Sequence, residues 1–180
     1  MKFAREQATY LRPVAGTEVA YRVGEVFRTA QLWREAEIAF RRSLKEYGTD
    51  PDRRVNDSLR LALCLAKQGN PTDAITLTKG TFSAPPGNKP PILLAVYLEI
   101  APALEGQVPN REIATLIREA VQQHRLAVVV RESEAGQQFE MVRDFHINKA
   151  LRYADKLDPK PVAETGDSVA SESKIGNERP

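Results

Sequence analysis

The stretch Trp33-Arg34-Glu35-Ala36-Glu37-Ile38-Ala39-Phe40-Arg41-Arg42-Ser43-Leu44-Lys45-Glu46-Tyr47 decides the fold. Ala36, Ala39, Phe40, Ser43, Leu44 and Tyr47 recur at three- and four-residue steps, which draws one apolar stripe down a helix and leaves the charges on its other side. Just upstream, Ala20, Val23, Phe27 and Ala30 draw a second stripe, and only Gln31, Leu32 and Trp33 separate the two. A connection that short forces an antiparallel pair.

Downstream the arrangement recurs. Leu61, Ala62 and Leu65 mark another first helix, Gly69-Asn70-Pro71 supplies a stop and a restart, and Ala74, Ile75 and Leu77 begin another second helix. Glycine closing one helix while proline opens the next is the expected asymmetry. Small residues at Gly24, Ala36, Ala62 and Ala74 let two helices cross closely, with aromatic side chains filling the space beside the contact.

In these intervals Gly24, Phe27, Trp33, Ala36, Phe40 and Leu44 resemble the tetratricopeptide repeat, and Trp33-Arg34-Glu35-Ala36 is the most specific part. Ala62, Leu65, Gly69 and Ala74 fill the same slots 38 residues later, because Asp50-Pro51-Asp52-Arg53-Arg54 lengthens the connection. Thr78 and Thr81 depart from the pattern and should weaken the second copy's second helix. The copies cover about residues 17–82 (17–48 and 55–82), fewer than the roughly three repeats that make a stable stack.

The resemblance implies an all-α fold of antiparallel hairpins stacked as a short solenoid with C-terminal capping helices. It also implies a concave groove, lined by the first helix of each pair, that binds a peptide or helix of another protein. Slot by slot, its candidates are Tyr21, Arg22, Glu25 and Arg28, then Arg60, Leu63 and Lys67, with Tyr97 the least well aligned. Gly24, Phe27, Trp33, Ala36, Phe40, Ala62, Gly69 and Ala74 would be the repeat-packing residues. The subset that clamps acidic chaperone tails uses lysine and asparagine at slots holding Tyr21, Glu25 and Arg60 here, so that clamp is not expected. An acidic or mixed-charge partner could instead meet Arg22, Arg28, Arg60 and Lys67.

Beyond the copies, residues 83–91 carry four prolines and read as a break. Ile92 to Leu104 is apolar nearly all round and should be buried on several sides, with Pro102 kinking or ending it. Asn110 reads as the cap of a helix that buries Ile113, Leu116, Ile117, Ala120, Val121 and Val128. A last helix, from about Glu134 to Leu157, should bury Phe139, Val142, Ala150 and Leu157. Residues 1–157 thus form one domain, with degenerate helices at 92–157 and a short helix expected from Phe3 to Leu11. Residues 158–180 read as a disordered tail. The tail carries a net charge of −2, which leaves +4 on the rest of a chain whose total is +2.

Composition bounds the function. The chain has 180 residues, 42% hydrophobic and 28% charged, which suits one globular domain and excludes a disulfide miniprotein or a fibre. The near-neutral balance argues against a dedicated nucleic-acid binder. Arg41, Arg42, Lys45, Arg53, Arg54 and Arg60 are interrupted by Glu46, Asp50, Asp52 and Asp57, which reads as a solvated surface of mixed charge. That surface is nevertheless the one a nucleic-acid-associated protein would use. Neither a signal peptide nor a membrane span is recognisable, so a cytoplasmic protein is expected. Cys64, the only cysteine, lies in an apolar run and reads as a small core residue.

No phosphate loop, nucleophile elbow, Cys-x-x-Cys pair or zinc-hydrolase motif occurs, so neither a cofactor, a metal nor catalysis is expected. His124 and His146 lie on apolar faces and could meet as a pair if their helices pack antiparallel. The reading is a non-catalytic adaptor, scaffold or assembly factor that binds protein. Self-association is the structural alternative.

Overall fold

The computed structural model describes residues 19–47, 49–84, 89–126 and 134–159, and its described residues are helical with no strand. Helices α1 (Val19–Thr29) and α2 (Trp33–Tyr47) form the first pair, and α3 (Pro51–Lys67) and α4 (Pro71–Gly80) the second. A short 3₁₀ turn follows at Thr81–Ser83. Helix α5 (Lys89–Ala95) runs through a π-helical turn (Val96–Ile100) into α6 (Ala101–Leu104), and α7 (Asn110–Arg125) and α8 (Glu134–Leu157) complete the order. Each helix of the two pairs packs on the next, α5 to α6 packs on α3 and α7, and α7 packs on α8. The fold is therefore an all-α arrangement of stacked helical pairs.

Close approach holds the first pair together. A Cβ placed on Gly24 would lie 2.6 Å from the Phe40 ring, so only glycine lets α1 settle against that side chain. Phe40, Ala36, Ala62 and Ala74 are fully buried, Phe27 nearly so, and Trp33 packs on the core from its edge. Gln31 turns the chain between α1 and α2 with φ of 57°, a left-handed conformation that costs a side chain of this kind. Gly69 works differently from the packing glycine. It is exposed, nothing would meet its Cβ, and its φ of 81° serves the turn after α3, where the Asn70 N–H donates back to the Leu65 carbonyl.

Helix α3 is the centre of the stack. Asp50 caps it by accepting from the N–H groups of Asp52 and Arg53, and Pro51 occupies its first turn. It touches α2, α4, α5, the π turn and α6, so its apolar residues are buried almost all round from Leu59 to Ala66. Within that run Cys64 is wholly enclosed, and burial pushes its thiol up to about 12. This is core chemistry, with no thiolate to react at neutral pH.

Several local expectations change. Thr78 and Thr81 are both buried where larger apolar residues are expected, and their hydroxyls donate to the Ala74 and Thr78 carbonyls. The proline break is shorter than 83–91, because Pro90 and Pro91 sit in the first turn of α5, where a missing N–H costs little. Pro102 does not end its helix either. It has no N–H to offer the preceding turn, and the π turn directly upstream loosens the ladder where that bond would have formed. Asn110 is the first residue of α7, with Pro109 in the cap position and no side-chain cap. Ile113, Leu116, Ile117, Ala120 and Val121 are buried as expected.

Helix α8 buries Ile147, Ala150 and Ala154 but exposes Val142. Arg118 pairs with Asp155 and Asp158, which fixes an antiparallel register and leaves only the residues from Arg118 to Arg125 of α7 to cover α8 beyond that point. The first half of α8 therefore runs past the end of α7. The Asp158 contacts also place the expected tail boundary inside the fold. The Phe3 to Leu11 helix, Val128, the Phe139 side chain and residues 160–180 lie outside the described residues.

Candidate functional site

Side chains of α1, α3 and the π turn meet on one surface. From α1, Arg28 holds Glu25 at 2.8 Å, and from α3, Arg60 reaches the same carboxylate at 3.2 Å. Arg60 also holds Glu99 of the π turn at 2.6 Å, while Arg28 approaches Glu99 to 4.0 Å. Two arginines and two glutamates thus tie α1, α3 and the π turn into one network. The Arg28–Glu99 contact carries the network from α1 past α3 to the π turn, and we call the surface that these side chains share the inner face.

The spacing explains why these residues meet. Glu25 and Arg28 stand one turn apart on α1, so their side chains leave from one side of the helix. The four side chains are between one quarter and one third exposed, where an ion pair keeps more of its strength than at an open surface. Burial opposes the charge of Arg60, yet Glu99 and Glu25 outweigh it, and Tyr21 adds a hydrogen bond.

At the α1 end of the network, Tyr21 and Arg22 of α1 and Arg53, Asn56 and Asp57 of α3 line a cavity of about 200 Å³. Asp57 is only 1% exposed, and its Oδ2 atom has no hydrogen-bond partner among the described residues. Burial pushes the Asp57 carboxyl above the usual carboxylate range, with the Glu25 charge adding to the rise and Ser43 and Arg53 partly countering it. Asp57 is therefore no member of a solvated charge surface. Position in sequence hid this: it lies among arginines and polar residues, and only the packing of other elements on α3, α2 foremost, encloses it.

The remaining candidates divide. Arg22 and Lys67 are exposed on inner helices, while Leu63 is buried in the core because α3 is covered on several sides. Tyr97 is also buried, and its hydroxyl meets His146 Nδ1 of α8 at 2.5 Å. It locks the π turn to α8 instead of facing a groove. Glu99, Asn56 and Asp57 were missed at the sequence level, and the only available signal was the position of Glu99 two residues after an expected groove side chain.

The histidine pair is not assembled. Continuing the register set by Arg118 brings His124 level with the Ala150 turn of α8, whereas His146 is engaged by Tyr97 and packs edge-on against Phe145. No group of three or more metal-ligating side chains occurs among the described residues.

Of the basic run, Arg41 pairs with Glu37 at 2.7 Å, Arg42 with Glu46 at 2.6 Å, and Arg60 with the inner network. These cations are matched locally, which leaves little excess charge to follow a phosphate backbone. No helix of the described residues is long and apolar enough to cross a membrane.

No family model matches the chain, and neither a curated protein nor a solved structure is matched significantly.

Proposed function

We propose that the chain is a non-catalytic interaction module, similar to tetratricopeptide-repeat adaptors, that binds a peptide or helix of another protein along its inner face. The observation that carries this reading is the Glu25–Arg28–Arg60–Glu99 network, which joins α1, α3 and the π turn in one surface. A surface organised before binding loses little side-chain entropy when a partner arrives. It also changes the kind of partner expected. Arg28 and Arg60 are already paired with Glu25 and Glu99, so an acidic segment meets less charge here than Arg22, Arg28, Arg60 and Lys67 suggest from sequence, and shape with local polar contacts takes its place.

Photo-crosslinking in the native cell tests this reading. A photoreactive side chain in place of Arg22 or Lys67, both exposed on inner helices, should trap a discrete protein partner. The same group in place of Ile38, which is 63% exposed on α2, should not. Equal trapping from both faces would sink the proposal.

Self-association is the second reading, and the exposed Met141, Val142 and Phe145 on α8 favour it. Light scattering that gives a dimer mass, and a monomer mass after Val142→Ser with Phe145→Ser, would establish it.

A further inference from the structure

The cavity between α1 and α3 is built unlike the rest of the inner face. Elsewhere on that face Glu25 and Glu99 each meet an arginine, whereas here Asp57 Oδ2 is enclosed without a well-formed hydrogen bond among the described residues, with the Ser43 hydroxyl, itself buried and unpaired, its nearest help. An unsatisfied buried acceptor costs on the order of 1–3 kcal/mol, so it marks a place where a donor from outside would be bound favourably.

The surroundings restrict that donor. A cavity of about 150 Å³ holds a benzene ring, and the 200 Å³ here suits a group of ring size. Arg22 and Arg53 stand in its wall, so a cationic group entering toward Asp57 meets like charge on the way. An anion would place its charge against Asp57 itself. A pure hydrocarbon would leave Oδ2 unsatisfied and shut it further from water. Tyr21, whose ring contacts Phe40 at a centroid distance of 5.9 Å, presents a fixed aromatic wall.

We infer that this cavity receives a neutral, ring-sized side chain of the partner, bearing one N–H or O–H donor of the indole or phenol type, which donates to Asp57 Oδ2. The inference rests on the protein-binding reading of the inner face and specifies one anchor within it. A single buried anchor at one end of a groove sets the register of the bound segment, because only one residue of the partner can occupy it.

Small probes test the cavity without any knowledge of the partner. Indole titrated into the full chain should shift the NMR signals of Tyr21 and Asn56, and 1-methylindole, which has no N–H, should bind about tenfold more weakly. That difference should disappear in Asp57→Ala. The comparison of the two probes on the unmodified chain stands even where that variant does not fold. Equal affinity for both probes, or no shift with indole up to its solubility, would overturn the inference. So would tighter binding of tryptamine, because a cation would then be the preferred occupant. Any of these results leaves the crosslinking test of the inner face independent, so failure of the anchor and failure of the binding reading are distinguishable.

Discussion

The first helical pair and the α7–α8 pair treat their apolar stripes in opposite ways. At the first pair, Gly24 admits the Phe40 ring, and the polar side chains that reach the inner face are tied to partners on α3 and the π turn. In the α7–α8 pair, α8 outruns α7 and leaves Met141, Val142 and Phe145 in solvent. The same helical period thus produces a locked contact where a neighbour lies opposite and an apolar surface where none does among the described residues. Burial is a property of the pair of elements, and a stripe on one helix states only half of it.

The largest way to break this contrast is at Phe40. Phe40→Ala removes a fully buried ring between α1 and α2 and should cost about 3–5 kcal/mol in urea unfolding. Gly24→Ala attacks the same contact from the other side by overpacking, with an expected cost of about 1–3 kcal/mol. Combined with Phe40→Leu, its effect should be much less than additive, since both residues act through one contact.

Arg60→Ala comes next. It leaves Glu25 and Glu99 with Arg28 as their one cation in the network and should cost about 1–2 kcal/mol in low salt. The loss should shrink in 0.5 M salt, roughly, because screening weakens the network it removes.

Asp57→Asn gives a smaller effect that depends on pH. Since burial raises the Asp57 carboxyl, the native state keeps its proton to higher pH than the unfolded chain does. Stability from this group is therefore present below the ordinary aspartate range and is lost as pH rises through the folded value. The variant should melt higher than wild type at neutral pH, by the equivalent of roughly 1 kcal/mol, and the gap should close below pH of about 4. A gap that widens on acidification would contradict the enclosure of Asp57.

The smallest effect belongs to the α7–α8 pair. Met141→Ser with Phe145→Ser should change the unfolding free energy of the monomer by no more than about 0.5 kcal/mol per site. A loss comparable to that of Phe40→Ala would mean that the exposed stripe is covered.

Helix α8 shows how far the chain could be read in advance. Its span and the burial of Ala150 follow from spacing, but Val142 falls at an equally suitable position and is exposed. The inner face divides in the same manner. Tyr21, Glu25, Arg28 and Arg60 could be assigned to the first helices from the sequence, and they do gather on one surface. That Leu63 and Tyr97 would be buried, and that Glu99 would complete the network, depended on which elements pack beside them.

The sequence by itself determined the all-α class, the two pairs with their short connections, and the need for small residues where helices cross. These follow from periodicity, capping and steric size, which act within a few residues of chain. It took the packed fold to show that the inner charges neutralise one another, that Asp57 is enclosed beside a cavity, and that part of α8 is left uncovered by the described residues. Those outcomes depend on register and on distances between residues tens of positions apart, and a local pattern carries no information about either.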